Sequence, residues 1–232
     1  MNAVVRLAAV MAVVVILVVA WMFSAAEFEH DDLPRGFTSP VLAMEMARSM
    51  QEVEMIVGEP GHRDRSEMRE QQYMDFVFIV AYWLEFSLIS VLLWRRSFRF
   101  AKALGVFAGL CATLAVLLDV RENVAILKVL SASPTPENNP LVHAVRHAAV
   151  PKWALLFVAM ILLSLVFLGR RDWRLRSGLP FLGTGLLFIL TGWIGLIGLT
   201  TQDALLELIV IPMSGGLITL LIALCLPDPH RF

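Results

Sequence analysis

Charged residues and cysteine are both scarce in this 232-residue chain. Asp, Glu, Lys and Arg make up 17% of it, compared with about 25% of an average soluble domain. The 19 basic residues are balanced by 20 acidic ones, so a basic surface for nucleic acid is not expected. Two cysteines are too few for a disulfide-rich scaffold. A hydrophobic content of 58% excludes a disordered chain.

The hydrophobic residues are instead concentrated in six long runs. A helix needs roughly 20 mostly apolar residues to cross a bilayer, with a range of about 17–25. The runs cover residues 7–23, 74–94, 103–118, 150–168, 179–199 and 204–226. Because these runs are continuous rather than alternating, they favour helices over the strands of a barrel. We therefore predict an all-α polytopic membrane protein with six transmembrane helices.

This prediction divides the chain into three parts. Residues 1–26 would form an N-terminal membrane anchor, residues 27–73 a small helical extracytoplasmic segment, and residues 74–232 a five-helix membrane bundle. The small residues 24–26 would also suit signal-peptide cleavage. However, the apolar run before them is longer than the roughly 7–15 residues of a secretion signal. We therefore favour an anchor that is retained.

Basic residues in the short loops predict the orientation of the chain. Residues 95–102 carry four positive charges, and residues 170–176 contain four arginines. Lys and Arg accumulate on the cytoplasmic side of a membrane, so both chain termini are expected there. The segment 24–73, with 11 acidic and 5 basic residues, then lies outside the cytoplasm. The inner membrane of a bacterial-type cell is the expected location.

The extracytoplasmic segment has an amphipathic pattern of its own. Ser39 followed by Pro40 is typical of a helix start, and Gly58 would end the helix. Apolar residues, among them Met46 and Met50, recur between these points at helical spacing, so we expect a single helix of about 18 residues. We interpret it as a lid on the bundle. The alternative is an adaptable methionine surface that grips an apolar ligand or a partner helix.

Ionisable and polar residues gather near the extracytoplasmic ends of three spans. The predicted polar cluster comprises Asp75, Tyr82, Glu85, Asp119, Glu122, Asn123, His143, His147 and Lys152. Helical spacing places Asp119, Glu122 and Asn123 on one stripe of the third span, where they could meet Lys152 of the fourth span. Such groups are costly in a bilayer unless they are paired. Either they clamp the helices as an ion-pair network, or they form the floor of an outward-facing pocket.

Three members of this cluster raise further questions. No Lys or Arg occurs at the depth of Glu85 in any span, so we expect a protonated carboxyl group that is hydrogen-bonded to a neighbour such as Thr191. His143 and His147 lie one helical turn apart, a spacing that can chelate a metal if a carboxylate completes the shell. They are weak metal candidates, and the sequence identifies no cofactor.

Three classes of function remain open. The first is a non-catalytic integral membrane protein, either an accessory subunit or a binder of a lipid or another amphiphile, and it is favoured because no catalytic set is complete. The second is an intramembrane hydrolase-type enzyme that uses the outer carboxylates and histidines. The third is a small proton-coupled carrier that uses Glu85, although no internal repeat is visible. Membrane lipids are the expected partners, with another membrane protein as a second candidate.

Overall fold

The computed structural model describes residues 3–25, 28–29, 33–96, 99–169, 178–201 and 203–225. Every regular element in these ranges is helical. The α-helices are α1 (Ala3–Ala25), α2 (Pro40–Glu45), α3 (Met50–Val57), α4 (Arg63–Arg96), α5 (Arg99–Ser131), α6 (Asn139–Leu168), α7 (Gly178–Thr201) and α8 (Val210–Cys225). Short 3-10 segments occupy Pro34–Gly36, Pro136–Asn138 and Asp203–Ile209. Six of the helical segments are long and apolar enough to cross a membrane, which confirms the prediction of an all-α polytopic membrane protein.

The six long helices form a ring in the order of the chain. From α4 to α8, each helix packs against the one that follows it, and α1 closes the ring between α4 and α8. Small residues bring neighbouring helices close together, as they commonly do in membrane proteins. At Gly195 of α7, a Cβ atom would lie 2.3 Å from the ring of Phe157 on α6. The α6–α7 interface therefore has no room for a larger residue there.

The segment between α1 and α4 covers one end of the ring, which we call the lid end. The expected single helix is in fact two short helices, α2 and α3. Ser49 Oγ accepts a hydrogen bond from the backbone N–H of Glu52 at 3.2 Å, and Glu52 Oε2 accepts one from the N–H of Arg48 at 2.9 Å. This reciprocal capping starts a new helix at Met50. The two helices therefore meet at an angle set by a turn that the apolar spacing alone does not reveal.

The lid is attached to the segment before α8 and packs against α5 and α6. Glu207, which precedes α8, accepts hydrogen bonds on Oε1 from the backbone N–H groups of Thr38 and Ser39 at 2.6 and 2.7 Å. The methionine side chains on the inner face of the lid, Met44, Met46 and Met50, are buried in one cluster with residues of α5 and α6. The methionine surface is therefore covered by the protein's own helices.

The lid and the membrane bundle share one continuous helix. α4 runs without a break from Arg63 to Arg96, so the predicted boundary between residues 73 and 74 lies inside this helix. The lid end of α4 thus extends well beyond the apolar stretch that would occupy the membrane. This extension positions lid residues directly over the ends of α5 and α6.

Candidate functional site

Lys152 is the centre of a polar cluster buried beneath the lid. Its Nζ atom lies 2.9 Å from both carboxylate oxygens of Glu122, 3.1 Å from Asp119 Oδ1 and 3.2 Å from Glu45 Oε1. All four side chains are buried. Three carboxylates therefore surround one ammonium group. The attraction between each carboxylate and the ammonium group opposes the cost of removing these charges from water. We refer to Lys152, Glu122, Asp119 and Glu45 as the lysine cage.

Glu45 is the cage member that the sequence analysis did not identify. It is the last residue of α2, and its second carboxylate oxygen accepts a hydrogen bond from the indole N–H of Trp153. The same indole ring lies 4.9 Å from Lys152 Nζ, within the range of a cation–π interaction. The available sequence signal was an acidic residue between two apolar ones, Met44 and Met46, on a helix expected to pack on the bundle.

Two further hydrogen bonds connect α4 to α5 around the cage. The hydroxyl group of Tyr82 donates to Asp119 Oδ2 at 2.9 Å, so both oxygens of Asp119 have a polar neighbour. The side-chain amide of Asn123 donates to Asp75 Oδ2 at 2.7 Å. The structure thus brings together six of the nine residues expected to form the polar cluster and adds Glu45 to them.

A cavity of about 70 Å³ lies inside the ring next to the cage. This volume suffices for a small number of water molecules, since each needs about 30 Å³. The polar lining residues are Glu45, Asp75, Tyr82, Glu85, Asp119 and Lys152, and the others are Val15, Phe78, Phe86, Trp153, Leu156, Met160, Met213 and Leu217. The cavity is therefore polar where it meets the cage and, apart from Glu85, apolar elsewhere.

Glu85 lines this cavity on the side away from the lid. Its side chain is 1% exposed, and neither carboxylate oxygen has a hydrogen-bond partner among the described residues. The expected hydrogen bond between Glu85 and Thr191 is not formed. The hydroxyl group of Thr191 donates instead to the Leu187 carbonyl of its own helix at 2.8 Å. A buried carboxyl group without a protein partner is costly unless water or a bound proton stabilises it.

The two histidines lie outside the cage. His143 and His147 are exposed, and the described part of the chain contains no group of three or more His, Cys, Asp or Glu side chains that could hold a metal ion. Successive helical residues are rotated by about 100°, so His147 lies about 140° around α6 from Lys152. The helix that directs Lys152 into the ring therefore directs the histidines away from it.

The arrangement is suited to holding charge rather than to nucleophilic chemistry. The described residues that line the cavity include no serine, cysteine or histidine, and the amine of Lys152 is enclosed by carboxylates. Such an amine is a poor nucleophile, because it remains charged next to its partners.

Comparison of the chain with protein-family models, with curated proteins and with solved structures gives no significant match.

Proposed function

We propose that this protein is a non-catalytic integral membrane protein that binds the polar end of a lipid or another amphiphile in the central cavity beneath the lid. The observation that carries the proposal is the two-sided lining of this cavity. The lysine cage borders one end, whereas the rest is lined by Glu85 and by apolar side chains such as Leu156, Met160 and Leu217. A site divided in this way complements a molecule that has a polar and an apolar end.

The charge of the site indicates which polar groups it would accept. The carboxylates of Glu45, Asp75, Asp119 and Glu122 gather around a single ammonium group, that of Lys152. This excess of acidic groups favours a ligand end that carries positive charge or several hydrogen-bond donors, and it would repel a phosphate. An amine-bearing amphiphile fits this requirement.

The size of the cavity limits how much of the ligand it can enclose. A volume of about 70 Å³ accommodates a small polar group but not a whole lipid. The remainder of the ligand would have to pass between two helices of the ring to reach the bilayer. Binding would then place the polar end beside the cage and leave the hydrocarbon in its preferred surroundings.

The proposal includes a location and an orientation. Residues 95–102 carry four positive charges, and the described part of this range, the end of α4 and the start of α5, lies at the end of the ring away from the lid. Because basic loops favour the cytoplasmic side, we place the lid on the extracytoplasmic face of a bacterial-type inner membrane. Membrane lipids are then the first candidates for the ligand, and an accessory role beside another membrane protein is compatible with the same site.

Native mass spectrometry of the purified full-length chain tests the proposal. Met160→Trp should fill the cavity and abolish co-purification of an amine-bearing amphiphile. Leu165→Trp is the matched control, because Leu165 is exposed on the outer face of the same helix. Melting temperatures would identify any variant that fails to fold. A wild-type protein without a bound amphiphile, or equal loss in both variants, would contradict the proposal.

Glu85 supports a second candidate function, that of a small proton-coupled carrier. Its buried carboxyl group borders a cavity with room for water and has no partner among the described residues. Such a group can take up a proton from water in the cavity and release it again. Infrared spectroscopy tests this role, with exposed Glu70 changed to Gln as the control for Glu85→Gln. A carrier requires a carboxyl band that is absent from Glu85→Gln and responds to pH. A band that is indifferent to pH argues for a fixed structural role.

A further inference from the structure

A second cavity lies at the lid end, between the beginning of α4 and the end of α5, and is separate from the lysine cage. Its volume is about 230 Å³, several times the roughly 30 Å³ that a water molecule takes. It is lined by Pro60, Gly61, His62, Arg65, Ser66, Arg69, Leu130, Ser131, Ala132 and Ser133. No carboxylate belongs to this described lining, although the surrounding segment is acidic overall. We call it the arginine pocket.

Arg65 is held rigidly in the wall of the arginine pocket. Its Nε atom donates to the Gly58 carbonyl at 3.0 Å, and Nη1 donates to the carbonyls of Leu130 and Ala132 at 3.0 and 3.4 Å. These bonds join the lid to the end of α5. They also fix the orientation of the guanidinium plane, so a ligand would not have to order this side chain.

The same side chain has an unused donor. Arg65 is 4% exposed, and its Nη2 atom has no hydrogen-bond partner among the described residues. A buried guanidinium nitrogen without an acceptor is costly, and Glu54, whose charge attracts Arg65, does not line the pocket. An oxygen-rich anion in the pocket would supply negative charge beside this buried guanidinium group.

Arg69 adds a second positive charge to the pocket. It follows Arg65 by one helical turn, so both side chains lie on the same face of α4. Of the serines in the same lining, Ser66 and Ser131 donate their hydroxyl protons to helix carbonyls at 2.6 and 3.0 Å, so Ser133 is the serine that can donate to a ligand. Planar guanidinium groups match the geometry of phosphate and similar oxyanions, because they can donate two parallel hydrogen bonds.

We propose that the arginine pocket is a binding site for a phosphate-class oxyanion, in which Arg65 and Arg69 provide the charge and Ser133 an additional hydrogen bond. The ligand is a free inorganic ion or the headgroup of an anionic lipid. This site does not depend on the central cavity, whose acidic groups would repel the same ligand. The protein would thus bind opposite charges at two places near the lid.

Two arms of one experiment test the proposal on the full-length chain. In detergent, melting temperatures are measured against sodium phosphate, with sodium chloride at equal ionic strength to control for screening. In nanodiscs of phosphatidylcholine and phosphatidylglycerol, retained lipids are counted by native mass spectrometry. Saturable phosphate binding identifies a free oxyanion, and selective retention of phosphatidylglycerol identifies a headgroup.

In the arm that detects binding, Arg69→Gln should weaken it at least about tenfold, as expected for the loss of a charge-assisted hydrogen bond. Arg63→Gln, which removes the same charge from an exposed position of α4 outside the pocket, should weaken it less than about twofold. Arg65→Lys keeps the charge but loses the planar donor, and should resemble Arg69→Gln if it folds. Absence of binding in both arms, or equal effects of Arg69→Gln and Arg63→Gln, would overturn the proposal.

Discussion

Helix α6 is joined to its two neighbours by contacts of different kinds. Towards α5, Lys152 contacts Asp119 and Glu122 through charges at 2.9–3.1 Å. Towards α7, Phe157 faces Gly195 at a distance that excludes even one methyl group. The polar contact depends on the balance of charge and the apolar contact on volume. Two neighbouring interfaces of one helix are therefore expected to respond to different mutations. The α5 interface should respond to a change of charge, and the α7 interface to a change of side-chain volume.

The largest expected effect is on the charged interface. Lys152→Met removes the only cage cation and leaves buried carboxylates without compensation, so we expect a loss of about 3–5 kcal/mol in the free energy of unfolding. Unfolding in mixed micelles measures it. Changing exposed Lys128 on α5 to Met should alter stability by less than about 0.5 kcal/mol.

A combined variant tests whether charge balance is the cause. Adding Asp119→Asn and Glu122→Gln to Lys152→Met removes two of the three carboxylates that the lost cation leaves unpaired, and at least half of the lost stability should return. If the combined variant is as unstable as Lys152→Met alone, the cage does not act through pairing. The comparison with the α6–α7 interface would then lose its basis.

The glycine interface should respond to volume instead. Gly195→Ala places a methyl group 2.3 Å from the Phe157 ring, and overpacking of this kind costs about 1–3 kcal/mol. Gly183→Ala on the same helix is the control, because its Cβ would lie at an ordinary distance of 3.5 Å from Thr219. The same unfolding assay distinguishes them. Equal stabilities of the two variants would show that α6 and α7 are not closely packed at Gly195.

The smallest expected effect comes from a single hydrogen bond at the edge of the cage. Tyr82→Phe removes the donor to Asp119, and hydrogen bonds inside membrane proteins contribute about 0.6 kcal/mol on average and at most about 1.7 kcal/mol. The chain has one other tyrosine, Tyr73, which is exposed on the same helix. Tyr73→Phe should leave the unfolding free energy unchanged, and a similar loss in both variants would exclude a specific role for Tyr82.

The sequence predicted those features of the site that depend on the spacing of residues within a single helix. The stripe of Asp119, Glu122 and Asn123 follows from helical spacing, so its common face could be predicted before any helix was placed. The sequence was less informative about the lid, because continuous apolar spacing concealed the new helix that Ser49 begins. Glu45 was missed for this reason, since its position depends on the turn between α2 and α3.

The number of spans and the all-α class were determined by the sequence alone, because the length of an apolar run is a local property that the bilayer selects directly. The tertiary structure decided which polar side chains meet. It brought Glu45 from the lid to Lys152, left Glu85 beside a cavity and turned His143 and His147 outward. These outcomes depend on how each helix is rotated against its neighbours, and that rotation is set by packing across the whole ring.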